Sequence, residues 1–111
     1  MENTTPIEEV PEDINSMSTG TVVNPLKEDF AHAFRGKEVI LKAESESVAF
    51  PLPMAAHLAK HLAIKIVRAR HRGEVLKIKD EKLRSEEMRK AIPDYKGQIF
   101  AEIKNVLKPN E

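Results

Sequence analysis

Two histidines separated by four residues are the first candidates for chemistry in this sequence. His57 and His61 would lie one turn apart on the same face of a helix, where both imidazoles can reach one metal ion. Lys60 and Lys65 stand beside them and repel a cation, and the neighbouring sequence offers no evident third ligand. We therefore predict that the two histidines bind no metal and face either solvent or a partner.

The other residue types that support catalysis occur here without the context that catalysis requires. General acid–base chemistry needs a carboxyl group with a shifted pKa in a pocket, whereas the paired carboxylates of this chain lie in polar segments. Ser45 and Ser47 lack the strand–turn–helix context of a nucleophile elbow, and the four glycines are scattered too widely to form a phosphate loop. The chain has no Cys, which excludes a thiolate nucleophile and a Cys-based zinc site. We predict a non-enzymatic protein without catalytic residues or cofactors.

A basic stretch is the stronger functional signal. Residues 60–90 carry eleven Lys and Arg against five Asp and Glu, a net charge of +6. Such a stripe suits either an acidic protein surface or a phosphate backbone. The stripe has no aromatic stacking platform, and acidic residues follow it, so we expect protein contact and keep nucleic acid as the alternative. The predicted partner-binding residues are His57, Lys60, His61, Lys65, Arg68 and Arg72.

The composition indicates a small domain whose stability would increase on binding a partner or another copy. Of the 111 residues, 32% are charged and only 5% are aromatic, which leaves little apolar bulk for a core. The net charge of zero hides an asymmetry, because residues 1–50 carry −6 and residues 51–111 carry +6. These halves can attract one another between copies, or they can face two different surfaces.

The chain also lacks sequence signals for membranes or secretion. No apolar run reaches the roughly 18 residues that a membrane span needs, and the first residues lack the hydrophobic segment of a signal peptide. We expect a protein that is made in a cytoplasm.

Three segments follow from the pattern of apolar residues, and together they predict an α+β fold. Residues 1–20 are polar and acidic, and they form either a disordered arm or an arm that orders on a neighbouring subunit. Residues 21–72 form a module of a β-meander and a long amphipathic helix. Residues 73–111 form a C-terminal helical extension.

The module begins with a β-rich segment at residues 21–23 that ends or bends at Asn24-Pro25, and a three-stranded meander follows. Residues 29–34 and 38–43 read as a hairpin around Gly36, with Phe30, His32 and Phe34 on one face by the period of two. We predict a second turn at residues 44–47 and a third strand at residues 48–50.

The long helix is predicted over residues 53–72. Its apolar arc comprises Ala55, Leu58, Ala59, Leu62, Ala63, Ile66, Val67 and Ala69. Gly73 is expected to end it, and residues 74–82 read as a short strand or a helical link. Ser85 is expected to cap a short helix that ends before Pro93, and a last helix is predicted over residues 95–107.

The segment from residue 23 to residue 63 resembles small proteins encoded by tailed bacteriophages and uncultured viruses. The matches are Asn24-Pro25, Asp29-Phe30, Gly36, Ala43-Glu44-Ser45, Phe50-Pro51 and the helix from Ala55 to Ala63. A later match runs from Leu83 to Ile92, so that the resemblance covers about 70 of the 111 residues. The family pattern has a glycine in the turn at residues 43–45, and its absence here implies a wider turn.

The resemblance implies a virion-associated structural protein and brings no catalytic residue with it. We therefore expect a minor structural protein of a phage particle, associated with the capsid or the head–tail junction, that contacts larger capsid, portal or neck proteins. Symmetric contacts between its own copies are also expected. The alternative is a small packaging-associated protein that binds nucleic acid through the basic helix, and a protein that binds a host factor is a third reading.

Overall fold

The computed structural model describes residues 18–110 and has the α+β architecture that the sequence predicts. The strands and helices follow in the order β1 (Thr19–Asn24), β2 (Phe30–Phe34), β3 (Lys37–Leu41), β4 (Ser45–Glu46), β5 (Phe50–Pro51), α1 (Leu52–Leu76), α2 (Glu81–Arg89), α3 (Tyr95–Val106) and β6 (Leu107–Pro109). The predicted arm lies almost wholly outside the described residues, and its last residues, Thr19 and Gly20, belong to β1.

Strand β1 is the centre of the main sheet. One edge pairs antiparallel with β4 and then with β5, and the other edge pairs antiparallel with β6. Between β4 and β5 the regular pairing is interrupted, and Ser47 fills the gap with two hydrogen bonds to Val22. The Ser47 N–H donates to the Val22 carbonyl, and the Ser47 Oγ accepts from the Val22 N–H, both at 2.9 Å.

Strands β2 and β3 form the predicted hairpin with a two-residue turn. Arg35 and Gly36 both have positive φ, of 52° and 83°, which is the backbone of a type I′ turn. The register places Phe30 opposite Leu41 and His32 opposite Val39. The helix-facing side of the hairpin therefore carries Phe30, His32 and Phe34, as the period of two predicts.

The predicted three-stranded meander is wrong, because the hairpin and the third strand belong to different sheets. The predicted turn at residues 44–47 contains β4. Of the strand predicted at residues 48–50, only Phe50 lies in a strand, where it begins β5. Glu44 has a positive φ of 52° in this turn, and a turn wider than that of the family pattern stays a prediction. Strands β4 and β5 pair with β1, which is distant in sequence, and this pairing outweighs the local turn and strand signals of residues 44–50.

Helix α1 is longer than predicted at both ends. Pro53 lies in its first turn, where the missing N–H is harmless. Gly73 does not end the helix, because Val75 is buried and holds one more turn in place. Seven of the eight residues of the predicted apolar arc are buried, and Ala69 is the exposed exception.

The remaining helices match the prediction in number but not in every boundary. Asp80 is the N-cap of α2 and accepts a hydrogen bond from the Leu83 N–H at 3.1 Å. Ser85 therefore lies inside the helix, and its prediction as the cap is wrong. Residues 77–80 form a loop instead of a strand. Helix α3 confirms the last predicted helix to within one residue.

The core lies between α1, the two sheets and α3. It includes Val22 from β1, Phe30 and Leu41 from the hairpin, Leu58 and Leu62 from α1, and Val106 from α3.

A fully buried Asn24 ties β1 to the hairpin. Its amide donates to the Leu41 and Glu28 carbonyls at 2.9 and 3.0 Å, and its Oδ1 accepts from the Leu26 N–H at 2.9 Å. The Asn-Pro sequence thus marks the end of a strand and also supplies a buried side chain whose hydrogen bonds connect β1 to the hairpin.

Among residues 18–110, no helix combines the length and apolarity needed to cross a membrane.

Candidate functional site

Five of the six predicted partner-binding residues form two groups on α1. His57 and His61 turn towards the hairpin, whereas Lys65, Arg68 and Arg72 line a groove further along the helix. Lys60 is exposed. Whether these side chains bind a partner stays a prediction, but they do not form one uniform cationic stripe.

Two of the cations already have partners within the chain. The Lys65 Nζ lies 3.0 Å from a carboxylate oxygen of Glu28, and both side chains are largely exposed. The Arg68 Nε donates to the Tyr95 hydroxyl at 2.9 Å. These contacts reduce the charge and the donors that this face offers to a phosphate backbone.

A third cation outside the predicted stripe links two helices. Arg70 forms an ion pair with Glu102 of α3, with 2.5 Å between nitrogen and oxygen, and the Glu102 side chain is only 10% exposed. Burial of a carboxylate is costly unless it is paired, so this contact fixes the position of α3 against α1.

A large groove of about 680 Å³ lies between the C-terminal half of α1 and the segment from α2 to α3. Its apolar surface comes from Met88, Ile92 and Tyr95, and its cationic rim comes from Arg68, Arg72 and Lys90. An apolar floor with a positive rim suits an extended or helical peptide that carries both apolar and acidic side chains.

A small groove of about 460 Å³ lies on the other side of Arg68 and Arg72. It is also lined by Lys65, Phe30, His32 and His61. The two grooves therefore share their arginines, and the small groove leads to a cluster of imidazoles.

The histidine cluster comprises His32 of β2 and His57 and His61 of α1. The Nε2 atoms of His32 and His57 are 3.2 Å apart, and the His32 ring stacks on the His61 ring with 4.1 Å between centroids. One ring nitrogen from each residue lies within 4.8 Å of the others. The expectation that no third ligand accompanies His57 and His61 is therefore wrong at the level of geometry.

The packing around His61 favours the neutral form of this imidazole. Burial lowers the pKa of His61, and the neighbouring His32, His57 and Lys60 lower that pKa further by repelling a proton. Phe30 stacks on the His32 ring at 5.9 Å, and Phe34 meets the His57 ring edge-on at 5.2 Å. The aromatic neighbours hold the rings of His32 and His57 in place from the hairpin side.

His32 and Tyr95 are among the residues of this surface that the sequence did not single out as site residues. For His32 a signal existed, because the period of two puts it on the same strand face as Phe30 and Phe34. For Tyr95 no local pattern predicts a hydrogen bond to a residue 27 positions earlier.

Comparisons with protein-family models, with curated protein sequences and with solved structures found no significant match for this chain.

Proposed function

We propose that this chain is a non-enzymatic structural module of a bacteriophage particle that makes protein–protein contacts during assembly. The resemblance of residues 23–63 to small phage proteins supports the viral part of this proposal. The large groove is the observation that carries the assembly part, because it joins an apolar floor to a cationic rim.

The composition of the groove favours a peptide over nucleic acid. A phosphate backbone offers charge but no apolar side chains, so it would leave Met88 and Ile92 uncovered. The intrachain contacts of Lys65 and Arg68 also compete with phosphate for the same donors. Further exposed apolar side chains, Leu76, Leu83 and Phe100, add surface that a protein partner would cover.

A suitable occupant is the acidic segment of residues 1–17 from a neighbouring copy. This segment contains five Asp and Glu and no Lys or Arg, so it complements the rim of the groove. It also carries Ile7, Val10, Ile14 and Met17 for the floor. Contact between the acidic segment of one copy and the basic groove of the next would build an assembly from a chain with no net charge.

The assembly proposal is tested by light scattering of the full chain at increasing concentration and near-physiological salt. We expect self-association that weakens when residues 1–17 are removed and when Arg72 is changed to Glu. Lys79→Glu is the matched control, because it reverses an exposed charge outside the groove and should leave association unchanged. A full chain that remains monomeric at high micromolar concentration would contradict contact between copies.

The viral part has its own measurement. Mass spectrometry of purified particles of the encoding virus should find the chain at a stoichiometry above that of contaminants, and its absence would refute a structural role. The alternative function is tested in parallel by titrating duplex DNA. Micromolar affinity at near-physiological salt that is lost in Lys65→Glu with Arg68→Glu would favour nucleic-acid binding instead.

A further inference from the structure

The histidine cluster brings together three good metal ligands from two separate elements. His57 and His61 are one turn apart on α1, and His32 reaches them from β2, 25 residues before His57. A pair at this helical spacing forms easily by chance, but a third imidazole positioned by a hairpin requires the tertiary fold. The convergence is therefore a property of the folded chain.

We propose that His32, His57 and His61 form a binding site for a divalent transition-metal ion, with Zn²⁺ as the expected ion. Neutral imidazole suits Zn²⁺, Cu²⁺, Ni²⁺ and Fe²⁺, whereas Ca²⁺ and Mg²⁺ prefer oxygen ligands, which the histidine cluster does not supply. Three protein ligands leave one position of a tetrahedral ion for water or a small anion.

The distances suit this ion. Zn–N bonds of about 2.0–2.1 Å in a tetrahedral site place ligand nitrogens roughly 3.3 Å apart. The two Nε2 atoms of His32 and His57 are already 3.2 Å apart, and the third nitrogen lies within 4.8 Å. Binding of the ion would require the His61 ring to turn out of its stack on the His32 ring, so that its nitrogen points to the same centre as the other two.

The contact between His32 and His57 is compatible with metal binding. A histidine binds metal only through a nitrogen that carries no proton. The 3.2 Å contact between the Nε2 atoms of His32 and His57 is a hydrogen bond in which one nitrogen donates and the other accepts, so at least one of them presents a free lone pair.

The nearby lysines weaken the site but do not exclude it. Glu28 lies 3.0 Å from the Lys65 ammonium group and offsets much of its charge. Lys60 is exposed, so solvent screens its repulsion. His32 and His61 line the small groove, where Arg68 and Arg72 would favour hydroxide or another small anion as the fourth ligand. We therefore expect an affinity in the micromolar range or tighter.

The test uses the full chain without a histidine tag, stripped of metal by a chelator and then titrated with Zn²⁺ against a chromophoric competitor. We expect one Zn²⁺ per chain and an increase of a few degrees in Tm at saturating Zn²⁺. Co²⁺ should give the intense visible bands of a tetrahedral site. His32→Phe and His61→Gln should each weaken Zn²⁺ binding at least tenfold, since each removes a ligand.

His71→Gln is the matched control, because His71 lies on the same helix and outside the histidine cluster, and it should bind Zn²⁺ as the parent chain does. The aromatic ring in His32→Phe preserves stacking on Phe30 and His61, so that a folded variant is expected, and circular dichroism of the metal-free protein verifies it. If His32→Phe fails to fold, His61→Gln alone decides the question. Unchanged Zn²⁺ affinity in a folded ligand variant, or a parent Kd above about 100 μM, would overturn the proposal.

Discussion

Replacement of Leu62 by Ala is the sharpest test of how α1 packs. Leu62 is fully buried in the core between the hairpin and β1, and it is one of the largest side chains there with no exposed surface. The substitution removes three carbon atoms, which costs about 2–2.5 kcal/mol in transfer free energy at roughly 0.8 kcal/mol each. Incomplete collapse of the resulting cavity adds to this, so we expect the free energy of unfolding to fall by about 3–4 kcal/mol.

The assay is urea unfolding followed by helical circular dichroism, and α1 provides its own control. Leu76 lies in the last turn of the same helix and is 57% exposed. Leu76→Ala makes the same chemical change with the same effect on helix propensity, and we expect it to alter stability by less than about 0.5 kcal/mol. A loss below about 1 kcal/mol for Leu62→Ala, or equal losses for both variants, would show that the assigned inner face is wrong.

Three further predictions follow from single residues. Gly73→Ala should raise the free energy of unfolding by about 0.5–1 kcal/mol in the same urea assay, because Gly73 lies inside α1 and open space surrounds the added methyl group. Asn24→Ala should lower it by about 2–4 kcal/mol, because three backbone groups lose their partner at a buried position, and amide exchange should increase at Leu26. The third concerns pH. The folded-state pKa of His61 is lowered, so the unfolded chain binds more protons below about pH 6.5. Stability in the presence of chelator should be full above that pH and should fall as the pH drops towards the lowered pKa, and urea unfolding from pH 7.5 to 5 should show a weaker dependence in His61→Gln.

The elements that sequence reasoning found are those whose signals are local. The turn at Arg35-Gly36 and the apolar arc of α1 depend on residues within a few positions of one another, and both appear as predicted. The prediction that Gly73 ends α1 was wrong because the helix is extended by the burial of Val75. That burial is a tertiary contact, which the local sequence does not reveal. Asp80 was overlooked as a cap because Ser85 offered an equally good local pattern.

The candidate site was predicted less well than the fold, for a related reason. His57 and His61 were assigned to a polar helix face, yet α1 packs against the hairpin over a wider arc than its apolar residues alone define. The sequence pattern had already placed His32 on the correct face of its strand. Finding the cluster required the angle at which the helix crosses the hairpin, and no pattern within either segment contains that angle.

The position of β1 has a consequence for the order of events at the ribosome. Thr19 and Asn110 are hydrogen-bonded although 91 positions separate them, and β6 covers one edge of β1. The pairing of β1 with β4 and β5 needs only residues up to 51. The other edge of β1 must wait for residues 107–109, so it stays open after the first edge has been covered. Chaperones that shield such edges, or neighbouring nascent chains on the same polysome, would meet this protein in that interval.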